Sequence, residues 1–189
     1  MRVTGIILAG GKSTRMGSDK GLVEFKGIPM IQHIIAEFKQ LNLPIIIVAN
    51  NEAYSKFGVR LVTDLIKDKG PVGGIYTALT VSDTDVNVIV SCDVPFVKKE
   101  LIVTLLNESK ESEVTISSFE GREHPLIGVY KKSIVDVFKS NLDSNQLKLR
   151  EVIKEVKTKV VEFSEPGMLV NAGSFNNINT KKELKELEA

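Results

Sequence analysis

The sequence predicts an α/β fold of three layers, with a mainly parallel central sheet and helices on both of its faces. Three observations carry this. Short apolar runs alternate with segments of helical period along the 189 residues, as they do when strands are joined through packed helices. Several apolar runs are continuous rather than alternating, which suits strands covered on both faces. The first run, at 3–9, stops at Gly10-Gly11 and passes into a polar loop, where adjacent glycines let backbone N–H groups approach an anion closely.

Each element follows from its own pattern. Strands are expected at 3–9, 44–49, 60–62, 86–91, 114–118, 126–130 and 158–163. The helix expected at 30–40 sets Ile31, Ile34, Ile35 and Phe38 on one stripe, the spacing of a core-facing helical surface. Further helices are expected at 72–80, 98–109, 133–141, 147–155 and 181–187. The stretch 119–130 breaks the rhythm with Gly121, charges and Pro125 and reads as a hairpin or an antiparallel excursion. No repeat, low-complexity tract or long linker divides the sequence, so 1–189 is expected to form one domain.

Composition narrows the function classes. Hydrophobic residues make up 42% and charged residues 26%, the balance of a soluble globular protein. A net charge of +1 provides no global basic field, so no nucleic-acid or membrane partner is expected and any anion site must be local. No leader pattern opens the chain, and no apolar segment reaches the roughly 20 residues of a membrane span. Cys92 is the single cysteine, which excludes an internal disulfide and leaves no Cys/His cluster for zinc. A cytoplasmic protein is expected.

The loop after the first strand is the most informative stretch. Residues 5–20 carry Gly10, Gly11, Lys12, Arg15 and Lys20, and three cations so close together can neutralise a polyphosphate. Neither standard glycine motif fits. A mononucleotide P-loop ending at Gly11-Lys12-Ser13 needs glycine at position 6, which is Ile6. The dinucleotide fingerprint fails because Gly10 and Gly11 are adjacent. Gly-Gly alone is more often a tight turn than a ligand loop.

The wider string changes that balance. Leu8-Ala9-Gly10-Gly11-x-Ser13-x-Arg15-Met16-Gly17-x-x-Lys20 resembles the signature of nucleotidyltransferases with a glycosyltransferase-A-like fold. Asp19-Lys20-Gly21-Leu22 and Gly27-x-Pro29-Met30 narrow the resemblance to the molybdenum cofactor guanylyltransferase (MobA) family. Asp64 with Gly70-Pro71-Val72-Gly73-Gly74, Ser91-Cys92-Asp93-Val94-Pro95, Arg122-Glu123-His124-Pro125 and Asn177-Ile178-Asn179-Thr180 extend it over about residues 3–187. One departure is visible: Val48 stands where some relatives carry a polar residue late in the second strand, with Asn50 two residues on, so the resemblance implies no firm nucleotide contact at this place.

The resemblance implies a Rossmann-like fold of the nucleotide-diphospho-sugar transferase type. It also implies a reaction in which the terminal phosphate of molybdenum-molybdopterin attacks the α-phosphorus of GTP, pyrophosphate leaves, and a guanine dinucleotide cofactor forms. Residues 1–95 would then hold GTP and Mg²⁺, and residues 96–189 the molybdopterin side. Leu8, Ala9, Gly10, Gly11, Lys20, Asp64, Gly70, Pro71, Gly74 and Asp93 would bind GTP. Arg15, Lys20 and Asp93 would be catalytic, with Asp93 the Mg²⁺ ligand. His124, Asn177 and Asn179 would meet the molybdopterin. Cofactor-insertion factors or apo-molybdoenzymes are possible protein partners. His33 reads as a packing or surface residue, and Cys92 as a core thiol.

The chemistry of such a site is consistent with these residue types. A phosphate monoester has a second pKa of about 6 and is already mostly dianionic at neutral pH. No strong general base is needed. The barrier is the meeting of two polyanions, which calls for cations, a divalent ion and fixed geometry. Asp93 follows a strand end, the edge at which open α/β sheets bind ligands, although an aspartate before a helix is also a common N-cap. A cytidylyltransferase for the same pterin, a sugar-1-phosphate nucleotidyltransferase and a non-catalytic nucleotide carrier are the competing readings.

Overall fold

The computed structural model describes residues 2–10, 19–164, 170, 172–178 and 183. The chain begins with β1 (Val3–Leu8) and reaches a small hairpin of β2 (Glu24–Phe25) and β3 (Ile28–Pro29). It continues through α1 (Met30–Gln40), β4 (Ile45–Val48), β5 (Arg60–Val62), α2 (Gly70–Val81), β6 (Val86–Ser91) and α3 (Lys99–Glu108). The second half contains β7 (Val114–Phe119), β8 (Arg122–Lys131), α4 (Val135–Asp143), α5 (Leu149–Lys154) and β9 (Thr158–Glu162).

The main sheet has seven strands in the order β5-β4-β1-β6-β8-β7-β9. Its neighbouring pairs are parallel except where β8 lies between β6 and β7. Helices cover both faces. One core holds Ile7, Ile47, Val88 and Val90 of the sheet against Ile31, Ile34 and Phe38 of α1 and Leu101 and Leu105 of α3. The other holds Ile6, Leu8, Ile46 and Ile89 against Val72, Ile75 and Leu79 of α2, with Phe138 of α4 and Val152 of α5. Burying a strand on two apolar layers explains why Ile45–Val48 is continuously apolar instead of alternating.

The expected excursion at 119–130 is a hairpin whose second strand is longer than the apolar run alone suggested. β8 begins at Arg122, and the turn residues Glu120 and Gly121 have φ of 51° and 73°. Two positive φ values mark the type I′ turn that matches the twist of paired strands. Glu162 holds this turn, its carboxylate accepting from the backbone amides of Glu120 at 3.0 Å and Gly121 at 3.3 Å. Pro125 falls where the β7–β8 register jumps between Ile116 and Ser117, and a bulge tolerates the missing N–H of proline.

The β2–β3 hairpin was not foreseen, because its strands are only two residues long and no apolar run reveals them. Its turn, Lys26-Gly27, has the same pair of positive φ values, 51° and 75°. Two helix limits also shift. α2 starts at Gly70, two residues before the expected 72, because Pro71 is compatible with a first turn. The segment 133–141 opens as a 3-10 turn at Lys132–Ile134 and becomes α-helical from Val135. The helix expected at 181–187 lies outside the described residues, apart from Glu183. Among the described residues no helix is long and apolar enough to cross a membrane.

Candidate active site at the carboxyl rim of the sheet

The parallel half of the sheet aligns four strand ends on one rim. Leu8 of β1 stands opposite Val48 of β4 and Ser91 of β6, and Val48 stands opposite Val62 of β5. The residues that follow these ends leave the sheet together. Backbone bonds from Ala9 N to Val48 O and from Cys92 N to Leu8 O keep the register to the last residue. A cleft of about 600 Å³ opens there.

Seven of the expected ligand residues line that cleft: Leu8, Ala9, Gly10, Asp64, Gly70, Pro71 and Gly74. The first turn of α2 therefore points its unpaired N–H groups and the positive end of its dipole at the opening. Gly73 and Gly74 differ in what they do. A Cβ on Gly73 would stand 2.7 Å from Lys69 Cβ and 3.2 Å from Ile66 O, so this glycine is required by the loop packed beneath it. A Cβ on Gly74 would meet Leu8 Cδ2 at 3.5 Å and Asp64 Oδ1 at 4.0 Å, which is ordinary contact on the cleft wall.

Asp64 is held from two sides. Asn50 Nδ2 donates to its Oδ2 at 2.7 Å, and its own amide donates to Asn50 Oδ1 at 3.1 Å. The next residue, Leu65, donates its amide to the buried Thr77 hydroxyl of α2 at 3.0 Å. Burial raises the Asp64 carboxyl above its usual range, while the Asn50 bond works the other way. Asn50 thus lies in the cleft, two residues beyond the Val48 departure, and it reaches the site through Asp64.

Lys20 and Asp93 meet at the same rim. Lys20 Nζ lies 3.8 Å from Asp93 Oδ2, with the two side chains 22% and 18% exposed. Asp93 is not a helix cap: α3 begins only at Lys99 with Lys98 at its N-cap. That helix start is instead served from α1 by Glu37, which accepts from the Lys99 amide at 3.0 Å and pairs with Lys98 at 3.2 Å. The residues flanking Lys20 are bound underneath. The Tyr54 hydroxyl, on a fully buried ring in the 3-10 turn Glu52–Phe57, donates to Asp19 Oδ1, and Asn51 Nδ2 donates to Asp19 Oδ2 at 3.5 Å. Burial pushes the Tyr54 hydroxyl far above the phenol range, so it stays protonated as a donor.

The acceptor-side candidates are joined to this rim by the C-terminal segment. The ring of His124, on β8, lies 5.0 Å from that of Phe175, which also stacks on Phe119 at 5.0 Å. Burial first, then the nearby Arg122 and Arg150, lowers the His124 pKa, so the imidazole is neutral at pH 7. Asn177 is exposed, and the next amide, Ile178 N, donates to Asp93 O at 2.9 Å. His124 and Asn177 are thus brought towards Asp93 by one short stretch. Gly11, Arg15 and Asn179 lie outside the described residues, as does Lys12.

Sequence reasoning missed Asp19, Asn51, Asp68, Ser91 and Leu126, all of which line the cleft. Asp19 and Ser91 were inside motif strings but drew no role. Leu126 had no signal, since it comes to the rim through the antiparallel pairing that sets Ile127 opposite Val90, one residue before Ser91. His33 packs edge-on to Phe25 with ring centroids 5.9 Å apart, and Cys92 is a buried thiol whose pKa burial pushes up, both as expected.

Comparisons with known proteins place the chain in a family. Residues 5–160 match the MobA-like NTP transferase domain. The chain is 37% identical over 186 residues to a probable molybdenum cofactor guanylyltransferase of Flavobacterium johnsoniae, covering 98% of this chain and 96% of that protein. It is 34% identical over 186 residues to the molybdenum cofactor guanylyltransferase of Vibrio parahaemolyticus, covering 96% and 92%. Among solved structures, the molybdopterin-guanine dinucleotide biosynthesis protein A of Archaeoglobus fulgidus is similar with a TM-score of 0.83 at 25% identity, over 100% of this chain and 97% of that one. With a match over most of its length and relatives of this closeness, the chain belongs to the family of MobA-like NTP transferase domains.

Proposed function

We propose that this protein transfers GMP from GTP to the terminal phosphate of molybdenum-molybdopterin, releasing pyrophosphate and forming the guanine dinucleotide form of the cofactor. The observation that carries the reading is the Lys20–Asp93 pair at the rim of a cleft walled by Leu8–Gly10, Asp64 and the first turn of α2. Asp19 and Ser91, which line that cleft, connect it along the chain to Lys20 and to Asp93. The names of the relatives supply the substrate pair.

Each group has a task in this reading. The main chain at Leu8, Ala9 and Gly10 and the N–H groups of Gly70 and Val72 receive the nucleoside. Asp64, oriented by Asn50, offers a carboxylate to N–H or O–H donors of the base or sugar. Lys20, with Arg15, neutralises phosphate oxygens, and Gly11 lets the backbone approach them. His124, Asn177 and Asn179 receive the acceptor, so the two halves, 1–95 and 96–189, face each other across Asp93. Leu126 qualifies that division, since a residue of the second half also walls the cleft.

Asp93 is the proposed Mg²⁺ ligand. Among the described residues no group of three or more His, Cys, Asp or Glu could hold a metal. Magnesium does not need such a cage, because it takes one or two carboxylates, fills its shell with substrate phosphates and keeps several waters. A partly exposed carboxylate beside a phosphate-neutralising lysine fits it. When bound, the ion would screen the triphosphate and the departing pyrophosphate. Asp93 holds its charge at the strand end, and Lys20 places an ammonium against the same oxygens.

The test is a competition between GTP and CTP with molybdenum-molybdopterin as acceptor, followed by the appearance of dinucleotide product. GMP transfer is expected to dominate; preferred turnover of CTP makes the protein a cytidylyltransferase, and no product from either removes the catalytic reading. A second expectation concerns Gly74→Ala. The added methyl fits the empty wall and favours the helix by up to about 1 kcal/mol, so the melting temperature holds or rises. Projecting beside Leu8 and Asp64, it weakens GTP binding by about tenfold or more, measured by calorimetry. Wild-type affinity would place the nucleoside away from α2.

A further inference from the structure

We propose that Tyr54 is a positioning residue for Lys20: its buried hydroxyl fixes Asp19 and Gly21, the residues on either side of the lysine, and so sets where the ammonium sits. This rests on the reading of Lys20 as a phosphate-neutralising group. Three observations support it independently of one another.

The first is the bond itself. Tyr54 Oη donates to Asp19 Oδ1, and the second carboxylate oxygen of Asp19 accepts from Asn51 Nδ2 at 3.5 Å. Asn51 is in turn fixed by accepting from the Ala53 amide at 3.0 Å, so both oxygens of Asp19 are held by one rigid turn. The second is the fit on the other side of the lysine. A Cβ on Gly21 would stand 2.6 Å from Tyr54 Oη and 3.3 Å from Cys92 Cβ. Gly21 lies directly on the hydroxyl, and no other residue leaves the backbone there. The third is the shortness of the lever. The 3-10 turn Lys20–Leu22 closes through Leu22 N to Asp19 O at 3.0 Å and Val23 N to Lys20 O at 3.1 Å. With residues 19 and 21 fixed, the Lys20 Cα has no freedom of its own, and the side chain reaches Asp93 at 3.8 Å.

The tyrosine ring is itself immobile. It is fully buried, in the core formed by α1 and the sheet ends, and lies 6.2 Å from the ring of Phe57. A group that neither touches the cleft nor titrates near neutral pH can affect the reaction only through what it holds. Displacing a charge by about 1 Å from its working position costs up to about 10²-fold in rate, and this is felt at the transition state more than in nucleotide binding, which many other contacts share.

The test is a double-mutant cycle. Tyr54→Phe keeps the ring and its packing and deletes only the hydroxyl. The expected result is a fall in kcat of about tenfold, with the KM and the calorimetric dissociation constant for GTP within about twofold of wild type. In a Lys20→Ala background, Tyr54→Phe should change kcat by less than about twofold, because a group acting through a lysine has nothing to act on once the lysine is gone. A merely structural tyrosine would instead lower kcat by the same factor in both backgrounds, and that outcome, or an unchanged kcat in Tyr54→Phe, overturns the inference. Should Tyr54→Phe fail to fold, the same contact is broken from its exposed side: Asp19→Ala should reproduce the kcat loss, whereas Asp19→Asn, which keeps an acceptor for the hydroxyl, should retain most of the rate. Equal losses from both overturn the inference. Absence of transfer by the wild-type protein overturns the transferase reading and the inference together, whereas normal wild-type transfer with an indifferent Tyr54→Phe overturns the inference alone.

Discussion

Asp93→Ala should release pyrophosphate from GTP about 10²–10³-fold more slowly than the wild-type protein, the range found when one preorganised charge-stabilising group is removed. The reason is local. Asp93 leaves β6 at the rim, and its own backbone is fixed by the Ile178 amide at 2.9 Å, so the carboxylate is delivered at one place. Its side chain neither caps α3 nor packs in either core. Removing it therefore takes away charge without taking away structure, and the melting temperature should stay within a few degrees, as expected when a partly exposed ion pair is lost. Asp93→Asn should fall almost as far, because an amide keeps the shape but offers a divalent ion far less. The measurement is pyrophosphate release with GTP, Mg²⁺ and acceptor, alongside a thermal melt. Wild-type release in a folded Asp93→Ala protein would remove this carboxylate from the mechanism.

The parts of the site that were legible in the sequence are those built by the parallel strands. A continuous apolar run that stops at Gly10-Gly11, and another that stops at Ser91-Cys92-Asp93, announce strand ends, and strand ends in such a sheet share a rim. Gly70-Pro71 announces a helix start, so Leu8, Gly74 and Asp93 could be assembled before any coordinates. Three kinds of contact could not. Asn50 contributes through a side chain bonded to Asp64 fourteen positions on, and no local pattern encodes a pair at that separation. Tyr54 reads as an ordinary core aromatic, and its use depends on where the 3-10 turn places a hydroxyl. Leu126 reaches the cleft because β8 pairs antiparallel with β6 and sets Ile127 opposite Val90, next to Ser91. The reversal of β8 was half visible: Gly121 and Pro125 betrayed an interruption, but antiparallel pairing with β6 over Val86–Val90 is a tertiary outcome. The sequence signal thus marks where the backbone must be special and is silent on side chains that meet from distant segments.

Lys20→Ala should lower kcat by about 10²–10³-fold while raising the GTP dissociation constant by only a few fold. The two effects separate because of when the charge is needed. On the proposed reading the ground-state triphosphate would be shared among backbone N–H groups of the glycine-loop region, Arg15 and a divalent ion, so one ammonium would be a fraction of the attraction. As the acceptor phosphate approaches the α-phosphorus, negative charge accumulates on the oxygens between two polyanions and on the leaving pyrophosphate, and a fixed cation there becomes worth more. Lys20 is suited to that moment by its surroundings: it is 22% exposed, 3.8 Å from Asp93, and set on a turn closed at both ends. Lys20→Arg keeps the charge but carries it on a planar fork of different reach, so it should recover binding fully and rate only in part. Single-turnover kinetics with calorimetric affinities on the same samples distinguish the cases. Equal losses in kcat/KM and in GTP affinity at unchanged kcat would mean that Lys20 serves substrate and transition state alike, and the proposal that it stabilises the developing charge would be wrong.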